Sequence, residues 1–112
     1  MIEEIIMRLT EQLYSRASSI SYRGIYFPVR EEEYASPIDF KSSKYICIDI
    51  PKSFGLEIDY VSAAYEITKG SRKNACFRLA THFVKEILPK IDFKLNTIMH
   101  NEEIEEILDV LE

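Results

Sequence analysis

Apolar residues recur at helical spacing in the first segment. Ile2, Ile5, Ile6, Leu9 and Leu13 share one stripe of a helix predicted over residues 2–17, which Ser18, Ser19 and Ser21 end. The rhythm then changes. Residues 22–29 are rich in aromatic and β-branched side chains and predict a strand, and Pro28, which has no N–H to give a ladder, assigns it to a sheet edge. The run from Arg30 to Ser36, with Glu31, Glu32 and Glu33, reads as an exposed loop, and Pro37 as a further breaker. Over residues 44–50 the alternation is strict, with Ile46, Ile48 and Ile50 on one face and Tyr45, Cys47 and Asp49 on the other. That segment predicts a second strand, stopped by Pro51.

Farther on, Ile58, Val61, Ala64 and Tyr65 match helical spacing and predict a helix over 57–69, although Leu56, Ile58 and Tyr60 also alternate as a strand start would. Cys76, Leu79, Ala80, Phe83, Val84 and Ile87 form the buried face of a helix over 72–88, which Pro89 is expected to end. Ile91, Phe93 and Leu95 alternate with Asp92, Lys94 and Asn96, predicting a half-exposed strand over 91–98. Asn101 suits the cap of a last helix over 102–111, with Ile104, Ile107, Leu108 and Leu111 as its stripe. The elements sum to a single α+β domain over residues 1–112. Its small, mostly antiparallel sheet lies near 22–29, 44–50 and 91–98, and its amphipathic helices lie near 2–17, 57–69, 72–88 and 102–111.

Composition adds bounds to this pattern. With 46% apolar residues and 12% aromatics, a chain of 112 residues can bury an ordinary core. Its net charge of -5 argues against a generic polyanion binder, because non-specific nucleic-acid affinity comes from Lys and Arg. The charge is segregated, however. Lys69, Arg72, Lys73, Arg78, Lys85 and Lys90 make one stretch basic, while the following one, from Asp92 through Glu102, Glu103, Glu105, Glu106 and Asp109 to Glu112, is acidic. Glu3 and Glu4 at the start are unlike a secretory leader, and no apolar run approaches membrane-spanning length, so a cytoplasmic location with no membrane contact is expected. Cys47 and Cys76 stand apart without a Cys-x-x-Cys or Cys/His pairing; both read as buried and reduced, and no metal site is expected. The chain is rich in Ile, Glu, Lys and Tyr, and Gln12 is its only glutamine, a thermophile-like bias that fits an archaeal host or one of its viruses and that an AT-rich genome would also produce.

The turn Lys69-Gly70-Ser71-Arg72-Lys73-Asn74 carries the most specific chemistry. Ser71 is placed to cap the helix that follows, which puts Arg72 and Lys73 in its first turn. That end of a helix is positive and favours anions, so the two cations call for a compensating negative group. A bound phosphate is one candidate. A carboxylate of the same fold or of a partner subunit is the other, and the acidic terminal segment supplies many. In the nucleic-acid alternative, Lys69, Ser71, Arg72, Lys73 and Arg78 form the binding site. A second nucleic-acid pattern interleaves Arg16, Arg23, Arg30, Lys41 and Lys44 with Tyr22, Tyr26, Phe27, Tyr34, Phe40 and Tyr45, as a single-strand-binding sheet would need.

Catalytic constellations are weak by comparison. Cys76 and His82 on one helix lie about 240° apart around its axis and face different ways. His100 with Glu103 gives two metal ligands without a third, and Glu57 and Asp59 are paired carboxylates without a partner. No catalytic residue and no cofactor is implied.

Lys69-Gly70, the helix running to Leu88-Pro89 and the strand expected from Ile91 resemble the last helix and strand of the Alba archaeal chromatin proteins. The resemblance covers residues 69–98. It implies phosphate contacts from Lys69, Arg72 and Lys73. This chain departs from that family in three ways: the region before the turn reads as helix where the family has a strand, the chain ends in an acidic helix in place of a further strand, and its overall balance is acidic.

The apolar stripes of the first and last helices must each bury against something, and one small sheet has little room for both beside the helix at 72–88. A homodimer would supply the cover. The expected role is therefore a non-enzymatic interaction or regulatory protein acting through protein-protein contacts. Nucleic-acid binding at residues 69–78 is the alternative.

Overall fold

Glu3 and Glu4 sit in the first turn of α1 (Ile2–Tyr14), where acidic side chains complement the helix dipole, and Ile6, Leu9, Thr10 and Leu13 form its buried stripe. The computed structural model describes residues 2–35, 42–66 and 71–96. Helix α1 stops short of residue 17 because Arg16 turns left-handed at φ 63°. The Ala17 N–H then donates to the Gln12 carbonyl at 3.0 Å and the Arg16 N–H to that of Leu13 at 3.2 Å, the bond pair of a Schellman ending with arginine where glycine is usual.

Strand β1 (Ser19–Tyr22) and strand β2 (Ile25–Ala35) form a hairpin across Arg23 and Gly24. Both turn residues have positive φ, 53° and 79°, as a two-residue turn that follows the twist of its strands requires. A Cβ at Gly24 would meet nothing within 4 Å, so Gly24→Ala tests backbone strain alone. It should destabilise the fold by about 1–2 kcal/mol, read as a lower urea midpoint at unchanged slope.

The segment 30–35 expected as a loop belongs to β2, because β3 (Ser42–Asp49) pairs antiparallel with it from Val29↔Ile48 to Ala35↔Ser42. Pro28 does not mark an edge strand. The sheet order is β1-β2-β3-β4, which leaves β2 inside. Pro28 instead stands at the changeover, where pairing with β1 ends at Ser19↔Pro28 and pairing with β3 begins one residue on. A missing N–H is tolerated there.

After a 3-10 turn at Lys52–Phe54, the helix expected over 57–69 is instead β4 (Tyr60–Glu66). Val61, Ala63 and Tyr65 are buried while Tyr60, Ser62, Ala64 and Glu66 are exposed, the alternation of a strand with one face covered. Val61 and Tyr65 fit both periods, so the helical match was a coincidence of spacing, and seven backbone pairings with β3 decide the outcome.

Helix α2 begins at Arg72–His82, passes through one widened turn at Phe83–Ile87 and stays helical to residue 96. Pro89 therefore does not end it, and residues 91–96 of the expected strand are helix. In the widened turn the Leu88 N–H reaches back five residues to the Phe83 carbonyl. Such a turn loosens the ladder immediately upstream of a residue that cannot donate and whose ring crowds the preceding carbonyls, which is how a helix passes through proline.

The fold is α+β, with a four-stranded antiparallel sheet and the helices on one of its faces. Phe27 of β2, Ile46 and Ile48 of β3, and Leu79, Phe83, Ile87 and Ile91 of α2 meet in a single core cluster. Phe27 is its centre, stacked on Phe54 at 6.2 Å and edge-on to Phe83 at 5.4 Å. The helix expected over 102–111, His100 and Lys69 lie outside the described residues.

Candidate interaction surface

The anion sought by the basic turn is Glu31. Its carboxylate accepts from Arg72 Nη2 at 2.6 Å and Nε at 3.0 Å. The same guanidinium donates to the carbonyls of Tyr14 at 2.6 Å and Leu13 at 3.0 Å. Arg72 thus sits at the carbonyl end of α1, where a cation is favoured, while Glu31 supplies negative charge beside the start of α2, where an anion is favoured. One ion pair complements two helix dipoles. Burial pushes the Glu31 carboxyl up, but the hydrogen bonds and charges of Arg72 and Arg16 outweigh that and hold it below its ordinary range.

The other described candidates, Lys73, Arg78 and Ser71, also make contacts within the fold. The Lys73 ammonium lies 5.8 Å from the centre of the Tyr14 ring, with Arg72 at 5.5 Å from the same ring. Arg78 donates to the Ala64 carbonyl at 2.7 Å, occupying a backbone acceptor of β4 on the side away from β3. That contact shields an outer strand that would otherwise invite another chain. Ser71 precedes α2 as expected, but its side chain makes no capping hydrogen bond; its carbonyl accepts from the Ala75 N–H at 3.0 Å.

The arginines of the interleaved pattern are paired with carboxylates as well. Arg16 meets Glu31 at 3.1 Å, Arg23 meets Asp92 at 3.0 Å, and Arg30 meets Asp49 at 2.8 Å and also Glu32. Arg30 further covers the Tyr60 ring at 5.0 Å. Phe27 is in the core, and the Tyr22 hydroxyl donates to Asp92 at 2.7 Å. The Arg30 group thus ties β2 to β3 and β4, while Arg16 reaches β2 from the end of α1 and Tyr22 and Arg23 reach α2.

Cys47 and Cys76 are both free and buried, and burial, foremost among the influences on each, pushes their thiols up. That opposes nucleophilic use. His82 is exposed, and so are Glu57 and Asp59. Among the described residues no group of three or more His, Cys, Asp or Glu could hold a metal.

What stands out is apolar and lies between the helices. Helix α1 runs antiparallel to α2, since its end at Leu13 and Tyr14 touches Arg72 while its start shares a groove with residues farther along α2. This groove, of about 720 Å³, is lined by Ile2, Glu3, Ile6 and Met7 on one side and Phe77, Thr81 and Lys85 on the other. Ile2 is 55%, Met7 53% and Phe77 45% exposed. Three large apolar side chains half in water in one cleft make a contact surface. Neither a family model, nor a curated protein, nor a solved structure matches this chain. What it does must be read from such surfaces.

Sequence reasoning placed Ile2 and Ile6 on the buried stripe but did not single out Met7 or Phe77. Their signal lay in plain view: each is a large apolar residue on the polar side of an otherwise amphipathic helix.

Proposed function

We propose that this chain is a non-enzymatic interaction protein, cytoplasmic, that docks another protein surface in the groove between α1 and α2. The observation that carries the reading is the half-exposed cluster of Ile2, Met7 and Phe77. It is supported by the geometry of the basic turn, where the polar groups most suited to chemistry or anion binding already serve the fold. A nucleic acid using Lys69, Ser71, Arg72, Lys73 and Arg78 would have to displace Glu31 from Arg72 and a backbone carbonyl from Arg78.

The groove reading is tested with an environment-sensitive apolar dye at sub-micromolar protein. Wild type should enhance its fluorescence, and Phe77→Glu should reduce that enhancement several-fold while leaving the far-UV circular dichroism unchanged. Equal dye binding by both proteins would exclude the groove as a docking surface. Absence of a gel shift with single- or double-stranded nucleic acid at about 50 mM salt is expected on the same reading.

No helix among the described residues is long and apolar enough to cross a membrane.

A further inference from the structure

We infer, resting on the docking reading above, that the occupant of the groove is a second copy of this chain. The argument is the sign of the charges that flank it. Along α1, Glu3, Met7 and Glu11 recur every four residues and form one ridge; along α2, Lys73, Phe77, Thr81 and Lys85 form another. The acidic ridge and the basic ridge border the same apolar strip. Among the described residues Glu3, Glu11 and Lys85 have no ion-pair partner. Arg8, on the neighbouring line of α1, is the cation of that helix.

Two copies can meet face to face about a two-fold axis lying in the interface plane, and two orientations of that axis follow the helices. With the axis across the helices, α1 lies on the partner's α1 and the order of residues is reversed. Acidic ridge then faces acidic ridge, and basic faces basic. With the axis along the helices, α1 lies on the partner's α2 at matching levels. Because α1 and α2 are antiparallel, Glu3 then opposes Lys85 of the partner subunit and Glu11 opposes Lys73 of the partner subunit, each pair occurring twice. Met7 and Phe77 of both copies close the centre. The result is an antiparallel four-helix layer with a sheet on either side, and the charges select it over the alternative.

The contact is small. Two helices exposing about 20 Å of length, roughly 10 Å wide each, offer on the order of 400 Å² of flat face. That falls below the ~800 Å² per partner of standard interfaces, so the dimer should dissociate on dilution.

Sedimentation equilibrium on the full chain from about 1 to 500 µM tests this, at low and high salt, together with the dye assay. Wild type should show a reversible monomer-dimer equilibrium weakened by salt, and Met7→Glu should raise the dissociation constant about a hundredfold. Glu3→Lys and Lys85→Glu should each weaken self-association about tenfold. An equimolar mixture of those two variants should recover it as a heterodimer, because both cross-subunit pairs are again of opposite sign. Stronger self-association of Glu3→Lys alone would overturn the arrangement, and a dimer indifferent to Met7→Glu would place the contact elsewhere. A wild type monomeric throughout would overturn the second copy as occupant. If its dye binding still fell with Phe77→Glu, the docking reading would stand; if there were no such binding, both would fall.

Discussion

Arg72→Ala should lower the unfolding free energy by about 2–4 kcal/mol, a loss well above the ~1 kcal/mol typical of a substitution near a surface. The side chain is only 13% exposed and makes four hydrogen bonds to three partners that all lie far from it in sequence: Glu31, Leu13 and Tyr14. Its removal leaves a half-buried carboxylate short of its main cation and exposes the carbonyl end of α1 without a donor. Chemical denaturation at neutral pH reads the loss, and a change under 1 kcal/mol would show that water replaces the guanidinium freely. The same pair gives the fold a dependence on acid. Glu31 has a lowered pKa in the folded state, so its contribution is fully present above the unfolded carboxyl value of about 4.5 and is lost as pH falls through the lower folded value. In Glu31→Gln that part of the acid-induced loss should be missing, which a series of denaturation curves between pH 7 and pH 2.5 would reveal.

Phe27→Ala should cost about 3–5 kcal/mol, the largest effect expected of a single substitution here. Phe27 is fully buried, stands on β2 and touches rings from the turn after β3 and from the widened turn of α2. The cavity would open between three elements, none of which can close it alone without breaking its own ladder. Phe27→Leu keeps much of the volume and should cost less than half as much. Equal losses from both substitutions would show that ring stacking, not volume, is what Phe27 contributes.

How much of this was legible from the residues differs by element. Strand β3 could be read directly because Ile46 and Ile48 alternate with residues that are charged, aromatic or small, and no other period fits them. Strand β4 could not, because Val61 and Tyr65 are spaced for either period and only the ladder with β3 separates the two. Pro89 misled for a physical reason: a lone proline normally stops a helix, and the widened turn that admits it has no residue signature of its own. Of the two cations of the basic turn, Arg72 meets an anion in Glu31, while Lys73 lies over the Tyr14 ring. The anion was also sought in the acidic terminal segment, which lies outside the described residues; Glu31 comes from a run that looked like a solvated loop and proved to be strand, where it is partly buried while its neighbours Glu32 and Glu33 are exposed. Met7 and Phe77 were visible as residues but carried no meaning until the antiparallel pairing of α1 and α2 brought them into one cleft.

The widened turn of α2 also sets the phase of the whole helix. Its buried pairs, Ala75 and Cys76, Leu79 and Ala80, Phe83 and Val84, Ile87 and Leu88, repeat every four residues. An ideal helix advances about 400° in four residues, so such a stripe would creep round the axis by about 40° per repeat and leave the core within a few turns. Reaching back five residues once, at Phe83–Ile87, takes up the accumulated slip. One continuous helix can therefore keep a single apolar seam against α1 at its start and against the β1–β2 hairpin at its end, where Tyr22 and Arg23 hold Asp92. A locally imperfect ladder is what keeps the helix in step with the sheet beneath it.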